Sequence, residues 1–158
     1  TIERYIKLQA TSQDLNLSER YQALNDICLH HREPTMAAEF GIEIQSEFET
    51  HTFPELIGDG LVVATPFGAS AYFRSVTGAT FDSGIGIAFN NIHWPENTPE
   101  YIQISADGQI RITPNEIKRS ATPVLTRDND SNPIPLEKDS TIVIEQGSDE
   151  VSIIRLKS

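Results

Sequence analysis

The chain has 158 residues, enough for one domain with a buried core, and its 12 basic against 23 acidic residues give a net charge of −11. A charge of this sign disfavours attraction to nucleic acid or to an anionic membrane surface, so we expect neither as a partner. The single cysteine, Cys28, excludes an internal disulfide and a cysteine-based zinc site, and no segment has the roughly 20 apolar residues of a membrane span.

Short apolar segments with a period of two, separated by turn residues, recur along the chain and predict β-strands. In chain order the predicted strands are residues 2–10, 22–31, 39–47, 61–64, 101–104, 109–113, 124–127, 140–145 and 150–156. Asp107-Gly108 separates two of these segments and is the best hairpin signal in the sequence.

Helical character is confined to a short segment at residues 70–76 and a weaker one at residues 115–119. Nine prolines and nine glycines, spread through the chain, agree with many short strands and tight connections. We therefore predict an all-β, or strongly β-dominated, single domain over residues 1–158, without internal repeats.

A cluster of small residues opens the predicted helix within residues 58–73, GDGLVVATPFGASAYF. Backbone N–H groups in the first turn of a helix have no partner inside it and suit phosphate or ribose oxygens. Gly68, Ala69 and Ala71 keep this surface free of side chains, and Tyr72 adds an aromatic face with a polar tip. The pattern suits a ligand near a helix N-terminus, although a capped turn packed on a sheet is its commoner origin.

Two other groups of residues resemble metal sites only in part. The run DNDSN at residues 128–132 begins like a calcium loop, but Pro133 stands where glycine is needed and no glutamate ends the loop. A polar turn is the better prediction there. The four histidines, His30, His31, His51 and His93, lack metal-ligand spacing, so we predict no metal site in this chain.

Residues 58–72, GDGLVVATPFGASAY, resemble the signature A-D-G-[LV]-[IL]-[VI]-S-T-P-T-G-S-T-A-Y of the NAD kinase family. Upstream, residues 23–26 (ALND) are similar to that family's A-L-N-E, and residues 135–155 resemble its closing segment. The matches follow one another in the family's order over most of the chain. The resemblance implies the family's all-β C-terminal domain, a multi-stranded β-sandwich with one short helix after the T-P-F-G-A-S-A turn.

The resemblance also implies a second, N-terminal α/β domain carrying a G-G-D-G motif, which these 158 residues do not contain. The intact protein is then expected to phosphorylate the ribose 2′-hydroxyl of NAD, using ATP or polyphosphate with Mg²⁺, to give NADP. This chain alone is expected to bind without catalysing, so no catalytic residue is assigned. The family further implies a homo-oligomer, and the absence of a signal-like N-terminus favours the cytoplasm.

Several positions carry over from the family as NAD-binding residues. They are Asn25, Asp26, Asp59, Thr65, Ser70, Ala71, Tyr72 and Ser75. Asn25 matches an asparagine that helps hold the nucleotide, and Asp26 stands where the family usually has the longer glutamate. Asp59 is expected on the nicotinamide or ribose side of the ligand. Thr65 and Ser70 match hydroxyl residues of the signature. The wall against which adenine packs is matched by Ala71, Tyr72 and Ser75.

Departures from the signature leave the ligand open. Ala64 replaces a serine, Phe67 replaces a small hydroxyl residue, and Gly78 stands where a glycine pair is usual. A bulky Phe67 inside a nucleotide pocket either stacks on a base or blocks the pocket. Two alternatives therefore stand beside the kinase: an NAD(P)-binding sensor module without activity, and a related lipid or sugar kinase domain with another acceptor.

Overall fold

The computed structural model of the chain describes residues 1–17, 21–115 and 123–157. Within these ranges the chain forms twelve strands, a 3-10 turn at Gly68–Ser70 and one α-helix, α1, at Tyr72–Thr77. The strands are β1 (Ile2–Thr11), β2 (Gln22–Ala23), β3 (Asp26–His30), β4 (Ala38–Gln45), β5 (Thr50–Gly58), β6 (Gly60–Ala64), β7 (Ile85–Asn90), β8 (Tyr101–Ile104), β9 (Gln109–Pro114), β10 (Val124–Arg127), β11 (Ile134–Pro135) and β12 (Ile142–Ile154). The weak helix predicted at residues 115–119 lies, apart from Asn115, outside the described residues.

The strands form two antiparallel sheets of six strands each. Their orders are β2-β1-β12-β9-β4-β5 in the first sheet and β11-β10-β3-β6-β7-β8 in the second. Alternate side chains of both sheets meet in one apolar core, as the period of two requires. The largest of these fully buried side chains are Phe40, Leu8, Ile27, Leu29, Ile42, Ile44, Leu56, Leu61, Ile85, Ile87 and Ile110. The predicted all-β sandwich with one short helix is confirmed.

Helix α1 packs on the outer face of the second sheet. Its buried Phe73 lies in a second, smaller apolar cluster with Cys28, Val62, Ala64 and Ala88. The helix ends at Gly78, whose left-handed φ of 72° lets its N–H reach the carbonyl of Arg74. This packing places the first residues of α1 beside β3.

The segment predicted as one strand at residues 22–31 is two strands in different sheets. β2 pairs with β1 in the first sheet, and β3 pairs with β6 and β10 in the second. The chain crosses between the sheets at Leu24 and Asn25, where the carbonyl of Asn25 accepts from the Thr65 N–H at 2.9 Å. A local period of two does not reveal such a crossing, because both halves keep the same alternation.

The hairpin predicted at Asp107-Gly108 is wrong, although the turn itself exists. The Gly108 N–H donates to the Ser105 carbonyl at 3.0 Å, but β8 pairs with β7 while β9 pairs with β4 and β12. The turn therefore connects the two sheets. Ile104 and Ile110, on either side of it, are both buried in the core between them.

Four further differences concern the strands: two predicted strands form one, and three strands were not predicted. Residues 140–145 and 150–156 belong to one strand, β12, because a bulge opposite residues 6–8 of β1 absorbs residues 147–149. The strand β5 was not predicted; it contains Pro54 and lies at a sheet edge, where proline is tolerated. β7 and the two-residue β11 were also missed.

Candidate functional site

An open groove of about 400 Å³ lies between β3, the end of β10 and the start of α1. Its lining residues are Asn25, Asp26, Cys28, His30, Ala71, Tyr72, Thr126, Asp128 and Asn129. Four of the eight predicted binding residues, Asn25, Asp26, Ala71 and Tyr72, are thus brought together. They meet because α1 packs on the sheet face toward which alternate residues of β3 point.

Asp26 is the buried carboxylate of this groove, with 5% of its surface exposed. The thiol of Cys28 donates to its Oδ1 at 3.4 Å. Burial raises the pKa of Asp26 to about 6; the Cys28 hydrogen bond opposes this rise and the negative charge of Asp128 adds to it. At pH 7 and above Asp26 is therefore mostly an ionised acceptor, suited to hydroxyl donors such as those of a ribose.

Tyr72 forms an aromatic wall that is held at two points. Its ring stacks on His30, with centroids 5.8 Å apart and planes at 27°, and its hydroxyl accepts from Asn90 Nδ2 at 2.9 Å. Burial lowers the pKa of His30, so the imidazole beside the ring is neutral at pH 7. A fixed, uncharged aromatic surface of this kind suits a planar heterocycle.

Ser75 lies on α1 and lines a second cavity of about 490 Å³ rather than the groove. Tyr72 lines both cavities, and Asn90 and Asn91 contribute polar groups to the second. The two spaces therefore share one aromatic residue.

Thr65 is buried and ties two backbone segments together. Its hydroxyl donates to the Leu24 carbonyl and accepts from the Gly68 N–H at 3.0 Å. Only 3% of its surface is exposed. Thr65 thus contacts the crossing at residues 24–25 and the turn of small residues at 66–71, which we call the small-residue turn. It does not line the groove.

The small-residue turn is shaped for close approach, but the approaching group is the chain's own backbone. A Cβ on Gly68 would lie 2.0 Å from the carbonyl oxygen of Asn25. The N–H groups of Gly68, Ala69 and Ala71 donate to Thr65 Oγ1, the Pro66 carbonyl and the Gly68 carbonyl respectively. These three N–H groups therefore already have acceptors within the chain.

Residues 24–156 match the family model of the ATP-NAD kinase C-terminal domain. The chain belongs to this family.

Among proteins of known function, the chain is 32% identical over 139 residues to an NAD kinase of Magnetococcus marinus, covering 85% of the chain and 42% of that protein. It is 31% identical over 97 residues to an NAD kinase of Hydrogenovibrio crunogenus, covering 60% of the chain and 31% of that protein. The chain thus spans less than half the length of these relatives.

Two solved structures share the fold. An NAD kinase from Archaeoglobus fulgidus in complex with ATP superimposes with a TM-score of 0.71 at 14% identity, over 98% of this chain and 55% of that one. Yeast NADH kinase complexed with NADH gives a TM-score of 0.69 at 20% identity, over 92% of this chain and 40% of that one.

Three residues discussed from the NAD kinase signature lie outside both cavities. Ser70 is exposed, and Asp59, in the turn between β5 and β6, accepts from Asn91 Nδ2 at 3.2 Å. Phe67 packs edge-on against Tyr5 with ring centroids 4.9 Å apart. In this NAD kinase domain Phe67 therefore neither stacks in the groove nor blocks it.

Five lining residues were not predicted: Cys28, His30, Thr126, Asp128 and Asn129. The alternation that begins at Asp26 would have placed Cys28 and His30 on the same face of β3. The remaining three are visible only through strand pairing, in which Thr126 lies opposite Cys28.

Within residues 1–17, 21–115 and 123–157, no three His, Cys, Asp or Glu side chains gather in a way that would hold a metal ion. In the same part of the chain, no helix has the length and apolar character needed to cross a membrane.

Proposed function

We propose that the intact protein is a kinase that phosphorylates the ribose 2′-hydroxyl of NAD, using ATP or polyphosphate with Mg²⁺, and that this domain holds the NAD. The observation that supports this most is the meeting of Asn25, Asp26, Ala71 and Tyr72 around one groove. Residues 1–158 are then one β domain of a two-domain protein, and the α/β domain with the G-G-D-G motif supplies catalysis. By family resemblance we also propose a cytoplasmic homo-oligomer.

The chemistry of the groove favours the nucleoside part of a dinucleotide over its phosphates. Two carboxylates, Asp26 and Asp128, line the groove, and among the residues that the structure describes its lining contains no lysine or arginine. Such a surface repels a phosphate chain but accepts hydroxyl and amino donors. We therefore place a ribose near Asp26 and Asn25 with a ring against Tyr72, and we assign the ATP or polyphosphate and the Mg²⁺ to the other domain.

Binding of NAD should depend on Tyr72. We expect calorimetric titration of the chain with NAD, NADP and ATP to show selective binding of NAD or NADP, and Tyr72→Ala to weaken it about tenfold through loss of stacking and packing. Phe48→Ala is the matched control, because Phe48 is 79% exposed and lies outside both cavities. Equal affinities for wild type and Tyr72→Ala would remove Tyr72 from the site.

Asp59 gives a second test, since it lies outside the groove of a single chain. If it contacts the nicotinamide or ribose side of NAD, Asp59→Asn should weaken NAD binding about tenfold, the usual effect of losing a hydrogen bond to a charged group. Asp82→Asn, a change at an exposed aspartate that lines neither cavity, serves as the control. Unchanged affinity in Asp59→Asn would exclude Asp59 from the NAD site.

Activity is to be measured on the intact protein, as NADP formed from NAD with ATP and Mg²⁺ or with polyphosphate. NAD binding without NADP formation would identify a sensor module. Phosphoryl transfer to a lipid or sugar hydroxyl, with none to NAD, would identify a kinase with another acceptor.

A further inference from the structure

Asp128, in the turn after β10, makes an unusual set of contacts with the segment that crosses between the sheets. Its Oδ1 accepts from the backbone N–H groups of Asn25 at 2.7 Å and Asp26 at 3.2 Å, and its Oδ2 accepts from that of Leu24 at 3.0 Å. In the opposite direction, the Asp128 N–H donates to the Asp26 carbonyl at 3.0 Å. The turn and the crossing are therefore joined by four hydrogen bonds.

The crossing needs these partners because it lies between the two sheets. β2 ends at Ala23 and β3 begins at Asp26, so Leu24 and Asn25 belong to neither strand. Backbone N–H groups without a ladder partner need another acceptor, and a carboxylate that takes three of them forms strong, charge-assisted bonds. Removal of the Asp128 carboxylate would therefore leave the N–H groups of Leu24, Asn25 and Asp26 without this acceptor.

The turn that carries Asp128 is itself anchored. Arg127 lies over the ring of the buried Tyr21, 4.4 Å from its centroid, and its Nε is 3.4 Å from Asp130 Oδ2. Asp128 has a φ of 43°, a left-handed conformation that aspartate and asparagine adopt more readily than most residues. The carboxylate is thus presented from a fixed backbone.

We propose that Asp128 is a positioning residue, which fixes the Asn25–Asp26 segment in the shape that the groove needs to bind a nucleotide. It acts through these two residues and is not assigned a direct contact with the ligand. The identity of the ligand rests on the function proposed above, whereas the fixing of residues 25–26 by Asp128 is independent of that function. The two are therefore tested by separate readouts.

The first readout is amide hydrogen exchange at Leu24, Asn25 and Asp26. Asp128→Gly keeps the left-handed turn but removes the carboxylate, so exchange at all three amides should accelerate about tenfold or more while the core strands stay protected. Asp128→Asn keeps one acceptor oxygen, so mainly the Leu24 amide should accelerate. Asp139→Gly, the same change at another left-handed aspartate (φ 61°), should leave the three amides unchanged.

The second readout is affinity for NAD in the same four proteins. We expect Asp128→Gly to weaken binding about tenfold, Asp128→Asn to recover most of the loss, and Asp139→Gly to match the wild type. Recovery of NAD affinity in Asp128→Asn would show that binding depends on the acceptor oxygen that this variant keeps. A role in stability alone would not tie NAD affinity to exchange at the Asn25 and Asp26 amides.

Protected amides in Asp128→Gly, or fast exchange there with unchanged NAD affinity, would overturn the proposal. If Asp128→Gly does not fold, Asp128→Asn replaces it. Fast exchange at the Leu24 amide, with the Asn25 and Asp26 amides protected and NAD affinity near that of the wild type, then supports the proposal. A protected Leu24 amide, or NAD binding lost while the other two amides stay protected, overturns it. If neither this chain nor the intact protein binds NAD, the proposed function fails, and the exchange data alone decide whether Asp128 fixes the segment.

Discussion

Replacing Gly68 by alanine should destabilise the protein and abolish nucleotide binding. The new Cβ would lie 2.0 Å from the oxygen and 2.5 Å from the carbon of the Asn25 carbonyl. Because these atoms are backbone, no side-chain rotation relieves the clash, and the crossing at residues 24–25 must move. We expect a loss of about 3 kcal/mol in the free energy of unfolding, the upper part of the range for overpacking. Thermal unfolding should show it as a Tm lower by roughly 6–12 °C.

Gly78→Ala is the matched control for this substitution. Gly78 has a left-handed φ of 72°, but a Cβ there would meet no atom within 4 Å. Its replacement should therefore cost only the backbone strain, about 1–2 kcal/mol, and leave NAD affinity unchanged. The close approach at Gly68 is contradicted if Gly68→Ala is as stable as Gly78→Ala and still binds NAD like the wild type.

Replacing Asp26 by asparagine should have opposite effects on stability and on binding. Burial raises the pKa of Asp26 to about 6 from its ordinary value of 3.8, so the folded protein holds the proton more tightly than the unfolded chain. The stabilising contribution of the protonated form is complete below about pH 4 and is lost as the pH rises through about 6. The asparagine variant escapes this loss, and at pH 8 it should be more stable by about 2–3 kcal/mol.

Binding should respond in the reverse sense, because only the ionised carboxylate is a charged acceptor at both of its oxygens. We expect Asp26→Asn to weaken NAD binding about tenfold at pH 8, and wild-type affinity to fall as the pH drops below about 6. The measurements are denaturant unfolding and NAD titration, each from pH 4 to pH 8. A stability difference that does not grow between pH 4 and pH 6 would contradict the raised pKa.

Asp107→Asn provides a control of opposite sign for the stability measurement. The Ser105 hydroxyl, followed by backbone N–H groups, lowers the pKa of Asp107, so its ionised form is the one that stabilises the fold. Its replacement should therefore lower stability at neutral pH and have no effect on NAD affinity, since Asp107 lines neither cavity.

Local chemistry made several features predictable. The alternation of apolar residues identified most strands, and the small residues before Tyr72 identified the position of the helix. Pairing between distant segments was not predictable in this way. Both strands next to Asp107-Gly108 alternate correctly, yet they belong to different sheets, and Pro54 concealed β5 because a sequence does not show which strand lies at an edge.

The β class, the family and four residues that line the groove follow from the amino-acid sequence, because strand period and signature motifs are properties of consecutive residues. The contacts of Thr65 and Gly68 with Asn25, and the bonds of Asp128 to the same segment from more than 100 residues away, follow from the three-dimensional arrangement of the strands. The same arrangement places Asp59 outside the groove. These roles depend on which backbone groups lack a partner after the sheets have formed, and that is settled by strand pairing across the whole chain.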